Sequence, residues 1–319
     1  MKKYVVTGGA GFIGSHLCRA LINRGDRVVI LDSLESGKMS NIEDILLDDK
    51  VEFIEGTILN EALVESVCHD IDGIFHLAAL VSVQRSIDDP RLNHQINIDG
   101  VFNILEAARV GKVPKVVLAS SAALYGSSAP PHKESFPVDP LSPYAIGKYS
   151  SEIYSSLYTQ LYGVDTVCLR FFNVYGPNQD PSSPYSGVIS KFLDAVVNGA
   201  SCIIFGDGEQ TRDFVYVKDV VSALLLSMDA NVSGVFNVGT GISSSILRVA
   251  GEIIQIAGSD VEILHMAARE GEVRHSRADI SKARKELGYA PRYSLEEGLQ
   301  ETYLWWTGSA SMSTNSGKR

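Results

Sequence analysis

Residues 4–14 read Tyr-Val-Val-Thr-Gly-Gly-Ala-Gly-Phe-Ile-Gly, an apolar run that enters a glycine-rich turn and then a helical pattern. Gly9, Gly11 and Gly14 match G-x-G-x-x-G, while Gly8, Gly11 and Gly14 match the tighter G-x-x-G-x-x-G. The early glycines permit a sharp turn and let backbone N–H groups approach a pyrophosphate, whose charge the helix N-terminus favours. Gly14, without a side chain, lets the helix lie close to the strand. Taken alone, such glycines also occur in turns that bind nothing. Here Asp32 ends the next apolar run, Arg27-Val-Val-Ile-Leu31. It stands about 20 residues downstream, where a carboxylate can accept both hydroxyls of an adenosine ribose. The combination predicts a strand–turn–helix unit for an adenine dinucleotide. Asp32 would repel a 2′-phosphate, so NAD is expected rather than NADP.

Apolar runs recur near 3–7, 27–31, 51–55, 72–77, 115–120 and 165–171, with helical patterns between most of them. Near-continuous apolar strands suit a parallel sheet covered on both faces. Their alternation with helices predicts a Rossmann-like, doubly wound α/β sheet whose ligands sit past the carboxyl ends of the strands. Two long helices stand out. One covers about 90–109; the other opens on Ser142-Pro143, a good N-cap and N1 pair, and stops before Gly163.

Past 174 the texture changes. Residues 178–187 are rich in Pro, Ser and Asp and read as a long loop. Helices fit 188–198, 218–228, 244–257, 279–287 and 294–306, and strands fit 202–205 and 234–238. The expected division is an NAD-binding domain at 1–174, a smaller α/β substrate lobe at 175–307 and a disordered tail at 308–319. Segments near 214–240 are free to return to the first domain.

A net charge of −10 argues against a nucleic-acid-binding surface, although a local pocket can still be basic. No apolar run approaches the ~18 residues of a membrane span, and the chain opens on a strand with no signal-peptide pattern, so cytoplasm is the expected compartment. Cys18, Cys68, Cys168 and Cys202 are scattered, with no C-x-x-C pair, and read as buried packing rather than metal ligands or disulfides. His76 ends the run Ile74-Phe75-His76 and either lines the cofactor cleft or satisfies a backbone partner.

Tyr144 and Lys148 lie four apart near the start of the second long helix, on one face. A nearby ammonium favours the phenolate and lowers a tyrosine pKa, making the phenol a usable base near neutrality. Of 13 tyrosines, Tyr144 alone has a lysine four residues later. The helix starts shortly after the strand that carries Ser120 and Ser121, on the rim of the sheet shared with the glycine turn. An exposed tyrosine with a solvated helical partner would be the bland explanation.

With these pieces in place, the chain resembles an extended short-chain dehydrogenase/reductase of the nucleotide-sugar epimerase and dehydratase group, nearest the UDP-glucose and UDP-N-acetylglucosamine 4-epimerases. The matching segments are Thr7–Gly14, His76-Leu-Ala-Ala79, Ser120–Gly126, Tyr144-x-x-x-Lys148, Arg170-Phe-Phe-Asn173, Gly208–Asp213 and Arg269–Ser276. The resemblance implies that Tyr144 is the base, Lys148 holds the nicotinamide ribose and Ser121 bonds the substrate hydroxyl. It assigns NAD contacts to Gly8, Gly11, Phe12, Ile13, Gly14, Asp32, Thr57, Ile58, Leu77, Ala78, Ala79, Tyr144, Lys148 and Phe171. At Gly56-Thr57-Ile58 the chain departs from the family, which commonly has Asp where Thr57 stands, holding the adenine amino group.

Dehydratases of this group place an Asp-Glu pair after the serine; here Ala122 and Ala123 cannot move protons, so elimination lacks its acid and base. The resemblance therefore implies hydride transfer at C4 of a UDP-hexose, turnover of the 4-keto sugar and return of the hydride to its other face. By the same likeness, Arg212 and Arg269 match diphosphate-binding arginines, Glu272 meets the uridine ribose and Asn173 lies near the diphosphate and sugar. Ser82, Ser121, Tyr144 and Val188 join them around the substrate. Ser276 borders the hexose, where tyrosine would exclude an N-acetyl group and serine leaves room for one. A UDP-uronate 4-epimerase stays open, with Arg85 as the candidate cation for the carboxylate. So do a net NAD-dependent dehydrogenase or reductase and a non-catalytic NAD-binding regulator. The resemblance further implies a homodimer in which helices 90–109 and 143–162 pair with their copies, although the stripe Ile153, Leu157 and Leu161 would serve equally as core packing.

Overall fold

The protein is described by a computed structural model covering residues 1–180, 187–268 and 273–316, the last eight as backbone. The first part alternates strands and helices: β1 (Lys3–Thr7), α1 (Phe12–Asn23), β2 (Arg27–Asp32), β3 (Val51–Glu55), α2 (Glu61–Val67), β4 (Gly73–His76), α3 (Val83–Asp88) and α4 (Pro90–His94). Then come α5 (Gly100–Val110), β5 (Lys115–Ser121), α6 (Pro143–Tyr162) and β6 (Asp165–Phe171). The second part holds β7 (Asn173–Tyr175), α7 (Val188–Val197), β8 (Cys202–Phe205), β9 (Thr211–Arg212), β10 (Phe214–Tyr216) and α8 (Val217–Asp229). It closes with β11 (Gly234–Val238), β12 (Ser244–Ser245), α9 (Ile246–Ala257), β13 (Ile263–Met266), α10 (Ser281–Leu287) and α11 (Leu295–Ser316).

Seven strands form one parallel sheet in the order β11-β6-β5-β4-β1-β2-β3. The chain thus returns to the sheet at 234–238, pairing Val238 with Phe171. The order reverses between β1 and β4, which places a crevice beyond their carboxyl ends. Side chains alternate between two cores, one under α1 and α8 with Tyr4, Val6 and Phe75, the other under α2, α5 and α6 with Val5, Ile74 and Leu118. A third core joins α7, α9 and α11 through Phe192, Val249, Leu299 and Trp306.

Two elements depart from the sequence reading. The helix expected at 90–109 is α4 and α5 joined by a π-helical turn at Gln95–Asp99, where Asn97 is turned into the protein to bond both backbone groups of Leu80. Inserted π turns of this kind carry one extra residue per turn and re-aim the side chains around them. The C-terminal helix, expected to end at 306 before a disordered tail, runs as helix to Ser316. No helix among the described residues is long and apolar enough to cross a membrane.

Candidate active site

The glycine turn is built by sterics. Gly8 has φ +72°, and a Cβ there would lie 2.7 Å from the Ala78 nitrogen; at Gly14 it would lie 2.1 Å from the Gly8 carbonyl oxygen. Gly11 caps α1 with no side-chain hydrogen bond, which leaves the first-turn N–H groups of Phe12, Ile13 and Gly14 directed at the turn. Leu77, Ala78 and Ala79 follow β4 along the same crevice, held by bonds from Leu77 N–H to the Thr7 carbonyl and Ala78 N–H to the Thr7 hydroxyl. This cradle fits a dinucleotide pyrophosphate.

Asp32 is buried, and its carboxylate accepts from Ala10 N–H and Leu34 N–H, each at 2.9 Å. Burial raises its pKa while these two bonds oppose the rise. A carboxylate has lone pairs left for ribose hydroxyls after two such bonds. Thr57 is exposed and its hydroxyl accepts from Leu59 N–H, whereas Ile58 is buried against Gly100 of α5.

Around the carboxyl end of β5 the sequence-predicted catalytic groups come together. Tyr144 and Lys148 are both buried on the inner face of α6. The Ser121 hydroxyl stands beside the Tyr144 phenol, and its oxygen accepts from Ala123 N–H at 3.1 Å. The Lys148 ammonium donates to the Ala119 carbonyl at 2.9 Å and lies 6.0 Å from the Tyr144 ring centroid. The expected drop in the phenol pKa is not seen in the free chain. Burial holds Tyr144 above its ordinary value, with the neighbouring Ser121 hydroxyl working against the rise, and burial lowers Lys148 to about 8. At 6.0 Å from the ring, Lys148 does not overcome the loss of phenol hydration. Phe171 ends β6 in register with Ser121.

Three other groups complete this neighbourhood; the sequence marks His76 and the segment that holds Arg170, but neither Ser86 nor Glu152. Ser86 of α3 is fully buried; its hydroxyl donates to the Val83 carbonyl and accepts from Tyr144 N–H at 3.1 Å. It satisfies one of the four unpartnered N–H groups at the start of α6. Glu152 and Arg170 form a buried ion pair behind Ser120. Their only sequence signal is the four-residue step from Lys148 to Glu152 and the place of Arg170 one residue before Phe171. His76 bonds Thr7 through Nδ1 at 2.8 Å, not a backbone partner, and its Nε2 has none among the described residues. Burial, aided by the nearby Lys148 charge, depresses its pKa to about 3.

The residues expected around the substrate are distributed unevenly. Asn173 N–H bonds the carbonyl of Asp213, which follows Arg212, and Ser276 N–H bonds the Thr211 carbonyl. The Arg212 guanidinium donates to the Thr211 carbonyl at 2.9 Å. Asp213, fully buried, accepts from Thr240, Gly241 and Ala278 N–H and holds these loops together. Val188 opens α7 half-buried against the third core. Ser82 is buried as the N-cap of α3, where its hydroxyl accepts from Arg85 N–H. Arg269 and Glu272 lie outside the described residues. Arg85 is paired with Glu35 at 2.5 Å.

Ile153, Leu157 and Leu161 are 52%, 42% and 62% exposed, so this stripe is not core packing. The four cysteines are free and buried, and no metal-binding cluster occurs among the described residues.

Residues 4–239 match the model of the NAD dependent epimerase/dehydratase family. The chain is 41% identical over 302 residues to the UDP-glucose 4-epimerase of Mycolicibacterium smegmatis, covering 93% of this chain and 96% of that protein. It superposes with TM-score 0.94 and 42% identity on the UDP-N-acetylglucosamine 4-epimerase from Methanobrevibacter ruminantium M1 in complex with UDP-N-acetylmuramic acid, over 97% of this chain and 99% of that one. The Thermus thermophilus UDP-glucose 4-epimerase complex with NAD gives TM-score 0.88 at 35% identity, over 96% and 99%. With its glycine cradle, buried Asp32 and neighbouring Ser121 and Tyr144, the chain belongs to the NAD-dependent epimerase/dehydratase family.

Proposed function

We propose that this chain is a UDP-hexose 4-epimerase acting on UDP-GlcNAc/UDP-GalNAc and on UDP-glucose/UDP-galactose, as a homodimer in the cytoplasm. The observation that carries the reading is the composition of the β5 terminus. Ser121 and Tyr144 are neighbours there, and the turn that follows, Ala122–Tyr125, begins with two alanines. Neither alanine can protonate a leaving hydroxyl, so chemistry stops at C4.

Bound NAD supplies the hydride acceptor and donor. Tyr144 takes the proton from the C4 hydroxyl and returns it once the sugar has turned its other face. Ser121, beside the phenol, orients that hydroxyl. Lys148 holds the nicotinamide ribose, and its ammonium favours the phenolate, which burial alone disfavours. Gly8, Gly11, Phe12, Ile13 and Gly14 cradle the pyrophosphate, with Leu77, Ala78 and Ala79 opposite and Phe171 near the nicotinamide. Asp32 takes the ribose, and Thr57 and Ile58 border the adenine. The elements from α7 onward form the substrate lobe, where Arg212 and Arg269 hold the diphosphate, Glu272 the uridine, and Asn173, Val188 and Ser276 border the sugar. Arg85 shares its charge with Glu35, which favours neutral hexoses over a uronate. Free buried cysteines fit a reducing compartment.

The test incubates purified protein with UDP-glucose, UDP-GlcNAc and UDP-glucuronate separately and resolves the products by chromatography. Conversion of the first two to their C4 epimers, with no net absorbance change at about 340 nm, is the expected result. Sole conversion of the uronate would replace the reading. Ser276→Tyr is expected to remove the UDP-GlcNAc activity at least tenfold while leaving UDP-glucose turnover within a fewfold; equal loss of both would refute gating by this residue.

A further inference from the structure

Three consecutive residues of β5 face successive turns of α6. The Ser121 hydroxyl stands beside the Tyr144 phenol, the Ala119 carbonyl accepts from Lys148, and the Ser120 hydroxyl donates to Glu152 at 2.6 Å. The first two belong to the proposed chemistry; the third does not. Glu152 stands one turn beyond Lys148 and receives the Arg170 guanidinium in a two-pronged grip, 2.9 Å from Nε and 2.7 Å from Nη2. Both side chains are 4% exposed. Arg170 sits directly opposite Ser120 in the β5–β6 register, one residue before Phe171, and its guanidinium lies over the Tyr125 ring at 4.9 Å.

Stability does not account for such a pair. Removing two charges from water costs several kcal/mol per ion, and apolar replacements of similar volume are often at least as stable. Here the satisfaction is also incomplete, because Arg170 Nη1 is buried with no hydrogen-bond partner among the described residues. What the pair does supply is direction: it joins α6, β5 and β6 at the level of the site, with rigid bidentate geometry.

The geometry points to Ser120, Glu152 and Arg170 as a buried positioning network, which sets the register of α6 against the end of β5 and so places Tyr144 and Lys148 relative to Ser121. This rests on the epimerase reading. A displacement of about 1 Å in such a site can cost on the order of a hundredfold in rate, so its loss appears in kcat rather than in substrate binding.

The experiment compares the parent enzyme with Ser120→Ala, Ser120→Thr and the paired variant Glu152→Leu/Arg170→Met, which removes both charges together. Circular dichroism melts, KM and kcat for UDP-glucose and the pH profile are measured for each. The paired variant is expected to melt within a few degrees of the parent, keep KM within twofold, lose kcat at least tenfold and shift the alkaline limb of its pH profile, because Lys148 is re-aimed. Ser120→Ala is expected to lose kcat at least threefold at unchanged KM, with recovery in Ser120→Thr. Should the paired variant fail to fold, Ser120→Ala decides. An active parent whose Ser120→Ala kcat stays within twofold overturns the network, whereas an inactive parent overturns the epimerase reading instead.

Discussion

Lys148 is fully enclosed, and its single bond to the Ala119 carbonyl does not replace a hydration shell, so its pKa falls to about 8. The charged form is the one that favours a phenolate, and it is lost as pH rises through that value. Activity measured as kcat/KM is therefore expected to fall above about pH 8. Lys148→Met should abolish this limb and lower kcat by about a hundredfold or more; a pH profile whose limb survives in the variant would assign it elsewhere. His76 responds in the opposite part of the scale. Its folded pKa, near 3, lies below the ordinary value of about 6.5, so between these values the unfolded chain binds a proton that the folded chain does not. Stability drops as pH falls through this window, by about 2 kcal/mol between about pH 7 and 5 for this group alone. Urea unfolding at the two pH values checks it, and His76→Asn should flatten the slope; an equal slope in the variant would sink the assignment.

Among elements, two helical glycines make opposite demands. Gly14 in α1 faces the Gly8 carbonyl so closely that a methyl group would overlap it, while a Cβ at Gly251 in α9 would meet nothing within 4 Å. Gly14→Ala should therefore push α1 off β1, cost on the order of 3 kcal/mol and weaken NAD binding more than tenfold. Gly251→Ala should raise stability by up to about 1 kcal/mol through helix propensity. Thermal melts and an NAD titration separate the two, and a neutral Gly14→Ala would contradict the cradle. The same contrast explains what the sequence discloses. β1, the turn and α1 are legible because local sterics dictate their glycines, and Tyr144 and Lys148 because helical spacing puts them on one face. The π turn at Gln95–Asp99 is not, since five residues are little more than one turn, too few for a change of period to show. β9 and β12 are two residues each, too short to show a period. Ser86 and Glu152 acquire meaning only from partners 58 and 18 residues away.

Across the whole molecule, α6 has two faces with separate duties. Its inner face carries Tyr144, Lys148 and Glu152, all buried. Its outer face carries Ile146, Ile153, Leu157 and Leu161, all at least 42% exposed, and Phe102 of α5 continues this apolar surface. The steps of seven, four and four residues keep the stripe on one side of the helix. Exposed apolar stripes of this length on a rigid helix pair mark contact surfaces, and two copies meeting through α5 and α6 would bury them in a four-helix bundle. Because the helix that would form the interface also bears the proposed catalytic groups, dimerisation would restrain the same α6 that Ala119 and Ser120 latch from inside. Sedimentation equilibrium should give twice the chain mass of 34.5 kDa. Ile153→Arg with Leu157→Glu should yield a folded monomer whose kcat falls several-fold while its circular dichroism is unchanged. A parent chain that sediments at 34.5 kDa would remove the dimer and leave the stripe to a different partner. A monomeric variant with full kcat would instead show that the inner latch alone suffices to hold Tyr144 in place.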